Sequence, residues 1–467
     1  MQKLPKNLCR NADSLPTVEI TGIAIDSRQV KQGDLFIAIP GAKTDGAQFA
    51  QDAKAKGVAA VAGKGMEIDT PEPRRFAALA AAAWFGAQPE ALAAVTGTDG
   101  KTSTAHFLRQ MWAAMGKKAV SIGTLGVVEK DAALDYPKLN TTPDPVLLQR
   151  VLAEVKQSGV THAVMEASSI GIEQHRMDGV KVKAAAFTNL TPEHLDYHKN
   201  MESYFSCKAR LFTELLDGAA VINADDAYGA RLVPMCRKAI TFGEKEGVDL
   251  RLERIAPQPE GIALKLDAFG KGYEILLPVY GHFQAWNIVT AIGLAHACGA
   301  TIEEAVAAAH RVSAVPGRLE KVIGDKAVFV DYAHTPGALR NVLTALRAHT
   351  KGKLGVVFGC GGDRDAMKRE PMGKIAAELA DAVIVTDDNP RSESPEAIRA
   401  AVKIGCPDAE EIGDRREAIR HAVRKMREGD VLVIAGKGHE KEQIVGSRVL
   451  PFDDVKEAED ALKEVAA

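Results

Sequence analysis

Apolar residues in this chain fall into short unbroken runs that alternate with stretches of helical spacing, and each run ends in a glycine-rich or polar turn. That pattern belongs to strands buried on both faces and joined by amphipathic helices, as in parallel α/β sheets. From Val18 to Gly63 the segments VEITGIAIDSRQV, GDLFIAIPG, QFAQDAKAKG and VAAVAG predict a small α/β unit, and Pro71, Pro73 and Pro89 flank an alanine-rich helix that closes it. From Ala91 to about Pro316 strands and helices alternate again, with ALAAV, THAVMEASS and KAAAFTNL as strands. The stretch LRLERIAPQPEGIALKLDAFGKGYEILLPVYG reads as antiparallel strands, followed by a helix from Phe283. Past Pro316 and Gly317 the chain repeats strand, loop and helix, with KAVFVDYAHTP, KLGVVFGCGGDRD, ADAVIVTDDNPR and GDVLVIAGKGHE at the turns. The expected fold is α/β in three domains. Residues 1–88 form a small N-terminal α/β domain, 89–316 a central P-loop domain on a mostly parallel sheet, and 317–467 a C-terminal Rossmann-like domain.

Composition narrows the classes of partner. The 467 residues suit about three domains of roughly 150 residues each. Lys and Arg number 59 against 62 Asp and Glu, so no net field favours nucleic acid or an anionic membrane, and any anion needs a local site. Six scattered cysteines without a CxxC pair argue against a disulfide framework or a structural zinc and suit a reducing, cytoplasmic compartment. The N-terminus MQKLPKNLCRNAD has no apolar core, and the uncharged stretch from Phe76 to Pro89 is too short to cross a bilayer. The expectation is a protein with no nucleic-acid partner and no membrane insertion.

Chemistry concentrates first in ALAAVTGTDGKTS. A buried strand, Leu92 to Val95, meets a turn bracketed by Gly97 and Gly100, and Thr104, Phe107, Leu108, Met111 and Met115 then recur at helical spacing. Strand, glycine turn, Lys-Thr and helix make a polyphosphate cradle: backbone N–H groups and the Lys101 ammonium face phosphate, and the Thr102 hydroxyl suits Mg²⁺. The full GxxxxGK[ST] pattern wants glycine where Val95 stands. Glu166, Ser168, Ser169 and Asn189 end the neighbouring strands, and TPEHLDYH gathers His194, Asp196 and His198 at an expected helix start capped by Thr191-Pro192-Glu193. In MESYFSCKARLFTELL, Lys208 falls on the apolar stripe of Tyr204, Leu211, Phe212 and Leu215. Burial there lowers a lysine pKa, and a neutral amine can take up CO₂ as a carbamate. In the C-terminal part, Asp331 and His334, then Arg364, then Asp388, Asn389 and Arg391, then Gly436, Lys437 and Glu440 end successive strands. Two arginines and a glutamate there suit a small zwitterion.

Taken in order, TGTDGKTS, MEASS, FTNLTPEHLDYH, Lys208, VDYAHTP, GCGGDRD, DDNPR and AGKGHE resemble the Mur ligase family over essentially the whole chain. The resemblance implies a UDP-binding first domain, a central ATPase and an amino-acid-binding third domain. It implies ATP-dependent amide formation in peptidoglycan precursor synthesis: meso-diaminopimelate is joined to the D-glutamyl γ-carboxylate of UDP-N-acetylmuramoyl-L-Ala-D-Glu through an acyl phosphate. ATP and Mg²⁺ are the implied cofactors, and a monomer the implied state. Carried onto this sequence, Gly97, Thr98, Asp99, Gly100, Lys101, Thr102, Ser103, Asn287, Arg318, Asp331 and His334 would contact ATP. Thr102, Glu166, His194 and carbamylated Lys208 would hold magnesium, with Lys101, Glu166, His194 and Lys208 as the catalytic set. Ser27, Thr141, Thr142, Ser168, Gln174 and Arg176 would contact the UDP substrate. Arg364, Asp388, Asn389, Arg391, Gly436 and Glu440 would contact diaminopimelate. Asp99 stands where relatives often have Asn, and Ile170 where many have His. Other classes stay open on the residues alone: a P-loop phosphotransferase or NTPase-driven regulatory module, a folate-polyglutamylating ligase, and a noncatalytic nucleotide-binding scaffold.

Overall fold

A computed structural model of the chain describes residues 4–12, 18–41, 44–130, 132–137 and 140–466; the beginning of the N-terminal stretch and Leu139 of LNTTP lie outside them. The chain forms two compact units, one made of Met1–Leu252, Asp267–Gly272 and Asn287–Arg311, the other of Glu253–Leu266, Tyr273–Trp286 and Val312–Ala467.

In the first unit, the strands Gly22–Ala24, Asp34–Ile37, Ala60–Gly63 and Ile68–Asp69 lie side by side in chain order, all parallel. Successive side chains serve opposite faces: Leu35, Ile37, Ala60 and Ala62 pack with Phe76, Ala77 and Ala80, while Phe36, Ala38 and Val61 pack with Ala50 and Ala53. The same unit holds a larger sheet in which Ala91–Thr96 is flanked by His162–Glu166 on one side and Val182–Phe187 on the other, parallel to both. Ala119–Gly123 follows beyond His162–Glu166, and Leu216–Asn223 beyond Val182–Phe187. All six residues of Ala91–Thr96 are buried, which explains why this strand shows a solid apolar run and no alternation.

The stretch after Val248 gives the strands Leu250–Gln258, Gly261–Ala268 and Lys271–Leu277, and the helix expected from Phe283 runs His282–Ala297. In the second unit the sheet order is Glu320–Lys321, Ala327–Asp331, Val431–Ala435, Leu354–Phe358, Ala382–Val385 and Glu410–Glu411, parallel except at the first pair. The last long strand therefore inserts between the first two, so its loop emerges between theirs. Phe329, Val356, Phe358, Val385 and Val433 fill one face; Val328, Val330, Val357, Ile384, Leu432 and Ile434 fill the other. Arg415, at the start of the helix Arg415–Lys425, forks onto Asp454 of the helix Asp454–Ala466 at 2.7 and 2.8 Å and donates to the Ala435 carbonyl at 3.0 Å. Both side chains are fully buried, and this satisfied pair ties two helices to the carboxyl end of the inserted strand.

All six cysteines are free thiols, and no helix of the described residues is long and apolar enough to cross a membrane.

Candidate active site

The strand register decides what surrounds the glycine turn. Val95 pairs with Glu166 and Thr96 with Phe187, so the loop from Gly97 emerges between the carboxyl ends of two parallel neighbours, where ligands of open α/β sheets bind. Gly97 has φ 147° and Gly100 φ 84°, conformations open to glycine. The loop is stitched in place: Asp99 N donates to Asn189 Oδ1 at 2.9 Å, Thr188 Oγ1 donates to the Asp99 carbonyl at 2.6 Å, and Thr98 N donates to the Asn189 carbonyl at 2.9 Å. Lys101 opens the helix Lys101–Ala114 and folds its ammonium over the loop, donating to the carbonyls of Gly97 and Thr98 at 2.9 and 2.7 Å. Ser103 is buried in the first turn of that helix. Buried Asn287 packs under the loop, since a side chain at Gly100 would meet its Oδ1 at 2.4 Å.

Glu166 is buried at the end of its strand and is addressed by hydroxyls and a backbone amide. Thr102 Oγ1 donates to Oε2 at 2.8 Å, Thr124 N to Oε1 at 2.8 Å and Thr124 Oγ1 to Oε2 at 3.3 Å. Lys208, in the helix Met201–Arg210, is only 1% exposed. Its amine donates to the Gly97 carbonyl at 2.9 Å and to Thr96 Oγ1 at 3.3 Å, and lies 4.7 Å from the centre of the Tyr204 ring. Burial, aided by the nearby Lys101 charge, drives the Lys208 pKa well below that of an ordinary lysine. The apolar-stripe reading of this residue therefore holds, and the stripe presents it to the loop.

The region around His194 folds differently from expectation. Thr191-Pro192-Glu193 does not cap a helix, because Thr191 is consumed by the loop: its N–H donates to Thr98 Oγ1 and its carbonyl accepts from the same hydroxyl. His194 takes a left-handed φ of 55° ahead of the single turn Leu195–His198, and the capped helix begins only after Asn200, whose Oδ1 accepts from Ser203 N at 2.9 Å. His194 is half exposed and 3.8 Å from Glu193, with its ring edge-on to Tyr204 at 6.5 Å. The buried histidine is His198, stacked on Tyr204 at 5.0 Å and 2.9 Å from Ser169 Oγ; burial lowers its pKa. Among the described residues no group of three or more His, Cys, Asp and Glu side chains is arranged as a metal cage.

A second chain of contacts leads from Glu166 to a cleft. Thr142, fully buried, donates to the Glu166 carbonyl at 2.9 Å and lies 3.0 Å from Ser168 Oγ, which caps the helix Ser169–Glu173. Thr141 Oγ1 is 3.3 Å from Thr124 Oγ1. Arg176 donates to the Thr142 carbonyl at 2.7 Å and to Gln174 Oε1 at 2.8 Å. Arg176 and Gln174 open into a cleft of about 340 Å³ whose wall also includes Ile25, Arg74, Asn140 and Asp144. Ser27, two residues past Ile25, accepts from Lys56 Nζ through its carbonyl at 2.7 Å, and among the described residues no hydrogen bond joins it to Thr141, Thr142 or Ser168. Arg74, Asn140 and Asp144 were not singled out from the sequence; the available signals were a doubled arginine at a helix start and Asp144-Pro145 as a helix cap followed by proline.

In the second unit, Asp331 ends its strand with both carboxylate oxygens accepting backbone amides, from Leu319 and Ala333, each at 2.7 Å. Burial pushes its carboxyl up to about 6 even though Arg318 pulls the other way. The Arg318 guanidinium sits 4.6 Å from the Tyr332 ring centre, and His334 Nδ1 is 2.8 Å from the Tyr332 carbonyl. The inserted strand brings Gly436 and Glu440 against the DDNPR turn. Lys437, fully buried, donates to Asn389 Oδ1 at 2.8 Å, which leaves Asn389 Nδ2 to donate to Glu440 Oε2 at 3.0 Å. Asp388 Oδ1 is buried without a hydrogen-bond partner, 3.4 Å from the Lys437 ammonium. Arg391, at φ 52°, donates to the Gly362 carbonyl at 2.7 Å, and both it and exposed Arg364 flank Gly361. The cluster places guanidinium groups near the Asp388 and Glu440 carboxylates, both of which lie within 3.8 Å of the Lys437 ammonium, a mix of charges suited to a zwitterionic ligand.

Three family models match the chain: "Mur ligase family, catalytic domain" at residues 19–100, "Mur ligase middle domain" at 95–295, and "Mur ligase, glutamate ligase domain" at 317–438. The chain is 50% identical over 462 residues to UDP-N-acetylmuramoyl-L-alanyl-D-glutamate–2,6-diaminopimelate ligase of Rhizobium meliloti (strain 1021), covering 96% of this chain and 95% of that one. The protein of the same name from Caulobacter vibrioides is 49% identical over 470 residues, with 96% of each chain covered. A solved structure of a ligase of that name is similar at TM-score 0.72 and 34% identity over 96% of each chain. The MurF ligase of Thermotoga maritima, solved in complex with ADP, is similar in fold alone, at TM-score 0.65 and 18% identity over 96% of this chain and 99% of that one.

Proposed function

The chain belongs to the Mur ligase family, and from that premise we propose that it joins meso-diaminopimelate to the D-glutamyl γ-carboxylate of UDP-N-acetylmuramoyl-L-Ala-D-Glu in an ATP-dependent, ADP-forming reaction. The observation that carries this reading is the meeting of the glycine loop, Glu166 and the buried Lys208 amine at the carboxyl ends of adjacent strands. Residues 1–88 take the UDP end of the substrate, 89–316 the ATP and 317–467 the amino acid. The setting is the cytoplasm, where peptidoglycan precursors are assembled, and the working form is the monomer.

A carboxylate is too poor an electrophile for an amine, so the γ-phosphoryl group first passes to the D-glutamyl γ-carboxylate. The diaminopimelate amine attacks the acyl carbon, and the tetrahedral adduct expels phosphate, leaving ADP and the new amide. Gly97 to Ser103 cradle the transferred phosphates with backbone amides and the Lys101 ammonium, with Asn287, Arg318, Asp331 and His334 on the nucleotide. Thr141, Thr142, Ser168, Gln174 and Arg176, with Ser27, orient the UDP substrate. Arg364, Asp388, Asn389, Arg391, Gly436 and Glu440 hold diaminopimelate, the arginines facing its carboxylates and Asp388 and Glu440 its ammonium groups. Magnesium, when bound, neutralises charge on the transferring phosphoryl group. The donors fit it: a carboxylate and a hydroxyl 2.8 Å apart, Glu166 and Thr102, are hard oxygens, and this ion is commonly held by few protein ligands together with phosphate and water. His194 and Lys208 complete the set, Lys208 as a carbamate formed when its neutral amine adds to CO₂ and releases a proton.

The test supplies ATP, Mg²⁺ and the UDP-muramoyl dipeptide with diaminopimelate, lysine or no amine. Phosphate release that depends on diaminopimelate is expected. Equal release without an amine would instead indicate a phosphotransferase or NTPase.

A further inference from the structure

Arg74 and Arg75 both break a local rule, and the fold compensates Arg75 with two carboxylates. Both arginines lie in the first turn of the helix Pro73–Phe85, which contains no acid, and a cation there opposes the helix dipole. Arg75 is compensated by Glu72 at 3.5 Å and Asp178 at 3.4 Å. Arg74 has no carboxylate within ion-pair distance among the described residues; its Nη2 donates to the Pro40 carbonyl at 2.6 Å. It is partly exposed and lines the same cleft as Arg176.

Arg176 has the same shortage. Its bonds go to a carbonyl and an amide oxygen; burial lowers its pKa, the charge of Asp144 opposes that shift, and the charge of Arg74 adds to it more weakly. The acid in the cleft wall, Asp144, is engaged as a helix cap, its Oδ1 accepting from Val146 N and Leu147 N at 3.1 and 3.0 Å. Two guanidiniums thus share one cleft with their fork donors only partly used, a donor set matched to the two oxygens of an oxyanion.

We propose that Arg74 is a substrate-binding residue that works with Arg176 to grip an oxyanion of the UDP-muramoyl dipeptide. The inference rests on the ligase reading above and adds a residue to its substrate site. Two oxyanions of that molecule share the required chemistry, the diphosphate and the peptide carboxylates.

The experiment compares wild type, Arg74→Ala and Arg74→Lys in the complete ligase assay. With ATP and diaminopimelate saturating, Arg74→Ala should raise KM for the UDP-muramoyl dipeptide roughly 10- to 150-fold, the loss of a charge-assisted bond, while KM for ATP and for diaminopimelate holds. Arg74→Lys, which keeps the charge without the fork, should fall between. Inhibition by UDP and by L-Ala-D-Glu then locates the anion, since the inhibitor that weakens in Arg74→Ala carries it. An unchanged KM would overturn the proposal, as would a uniform loss across all three substrates accompanied by a lowered thermal midpoint, which would mark Arg74 as a tether for Pro40. Inactive wild type would refute the ligase reading itself, and the three outcomes are distinct.

Discussion

Replacing Gly97 by alanine tests whether the cradle is built as described. A Cβ on Gly97 would lie 1.9 Å from Thr188 Oγ1, 3.1 Å from the Asn189 carbonyl oxygen and 3.2 Å from Asn189 N. The hydroxyl cannot simply rotate away, because it donates to the Asp99 carbonyl at 2.6 Å and so shapes the loop, and the other two contacts are backbone. Overpacking of this kind costs about 1–3 kcal/mol. Holding alanine at φ 147° adds backbone strain of about 1–3 kcal/mol. A combined loss of roughly 2–6 kcal/mol predicts a thermal midpoint lower by about 5 °C or more, at a few degrees per kcal/mol. If the loop instead yields to accommodate the methyl, the cost appears as a rise of about tenfold or more in KM for ATP. Differential scanning fluorimetry with and without ATP, beside steady-state kinetics, separates the two routes. Thr188→Ala in the Gly97→Ala background removes the closest clash, so the pair should be less damaging than the sum of the single changes. Wild-type midpoint and wild-type KM for ATP in Gly97→Ala would refute the geometry.

Lys208→Ala should abolish ligation, and the native protein should yield an acid-labile CO₂ adduct at this residue; full activity in the variant removes the carbamate from the mechanism. Because burial depresses the free Lys208 amine, the unfolded chain binds its proton more tightly. The resulting destabilisation is complete below the depressed pKa and fades as pH rises toward the ordinary 10.5, so denaturation midpoints of carbamate-free protein should climb with pH, and Lys208→Met should flatten that climb. Asp331 has the opposite sign: with its pKa raised from 3.8 to about 6, the folded state binds the extra proton, and about 3 kcal/mol of stability is lost as pH rises through that window, at about 1.4 kcal/mol per unit. A midpoint profile that stays identical in Asp331→Asn would contradict this. Arg391→Ala should raise KM for diaminopimelate by roughly 10- to 150-fold, the worth of a charge-assisted bond, and leave KM for the UDP substrate alone; equal changes in both would unseat the assignment.

The strands, helices and glycine loop were legible because each is a local property. A run such as ALAAV buried on both faces, a turn needing positive φ, and a lysine on an apolar stripe all follow from neighbours along the chain. The C-terminal strands at VFVD, VVF, AVIV and VLVIA could be found the same way, and their polar ends named. The cap expected at Thr191 shows the boundary of such reasoning: the local signal was present, yet Thr191 bonds Thr98, a residue distant in sequence and near only through the strand register.

What tertiary structure alone decided is adjacency. Nothing local places Glu166 beside Thr102 or Lys208 beneath Gly97; the order in which parallel strands pair does so, because crossovers bring chain-distant strand ends to one edge. The insertion of Val431–Ala435 between Ala327–Asp331 and Leu354–Phe358 likewise brings Lys437 to Asn389 and fixes the amide that meets Glu440. Arg74, unmarked in the sequence beyond a doubled arginine, gained meaning only when the fold set it in a cleft with Arg176 and at no carboxylate's ion-pair distance among the described residues. The sequence by itself determined which groups exist and which local conformations carry them. Long-range pairing determined which of those groups share a site, since register and burial depend on contacts that no short stretch of chain encodes.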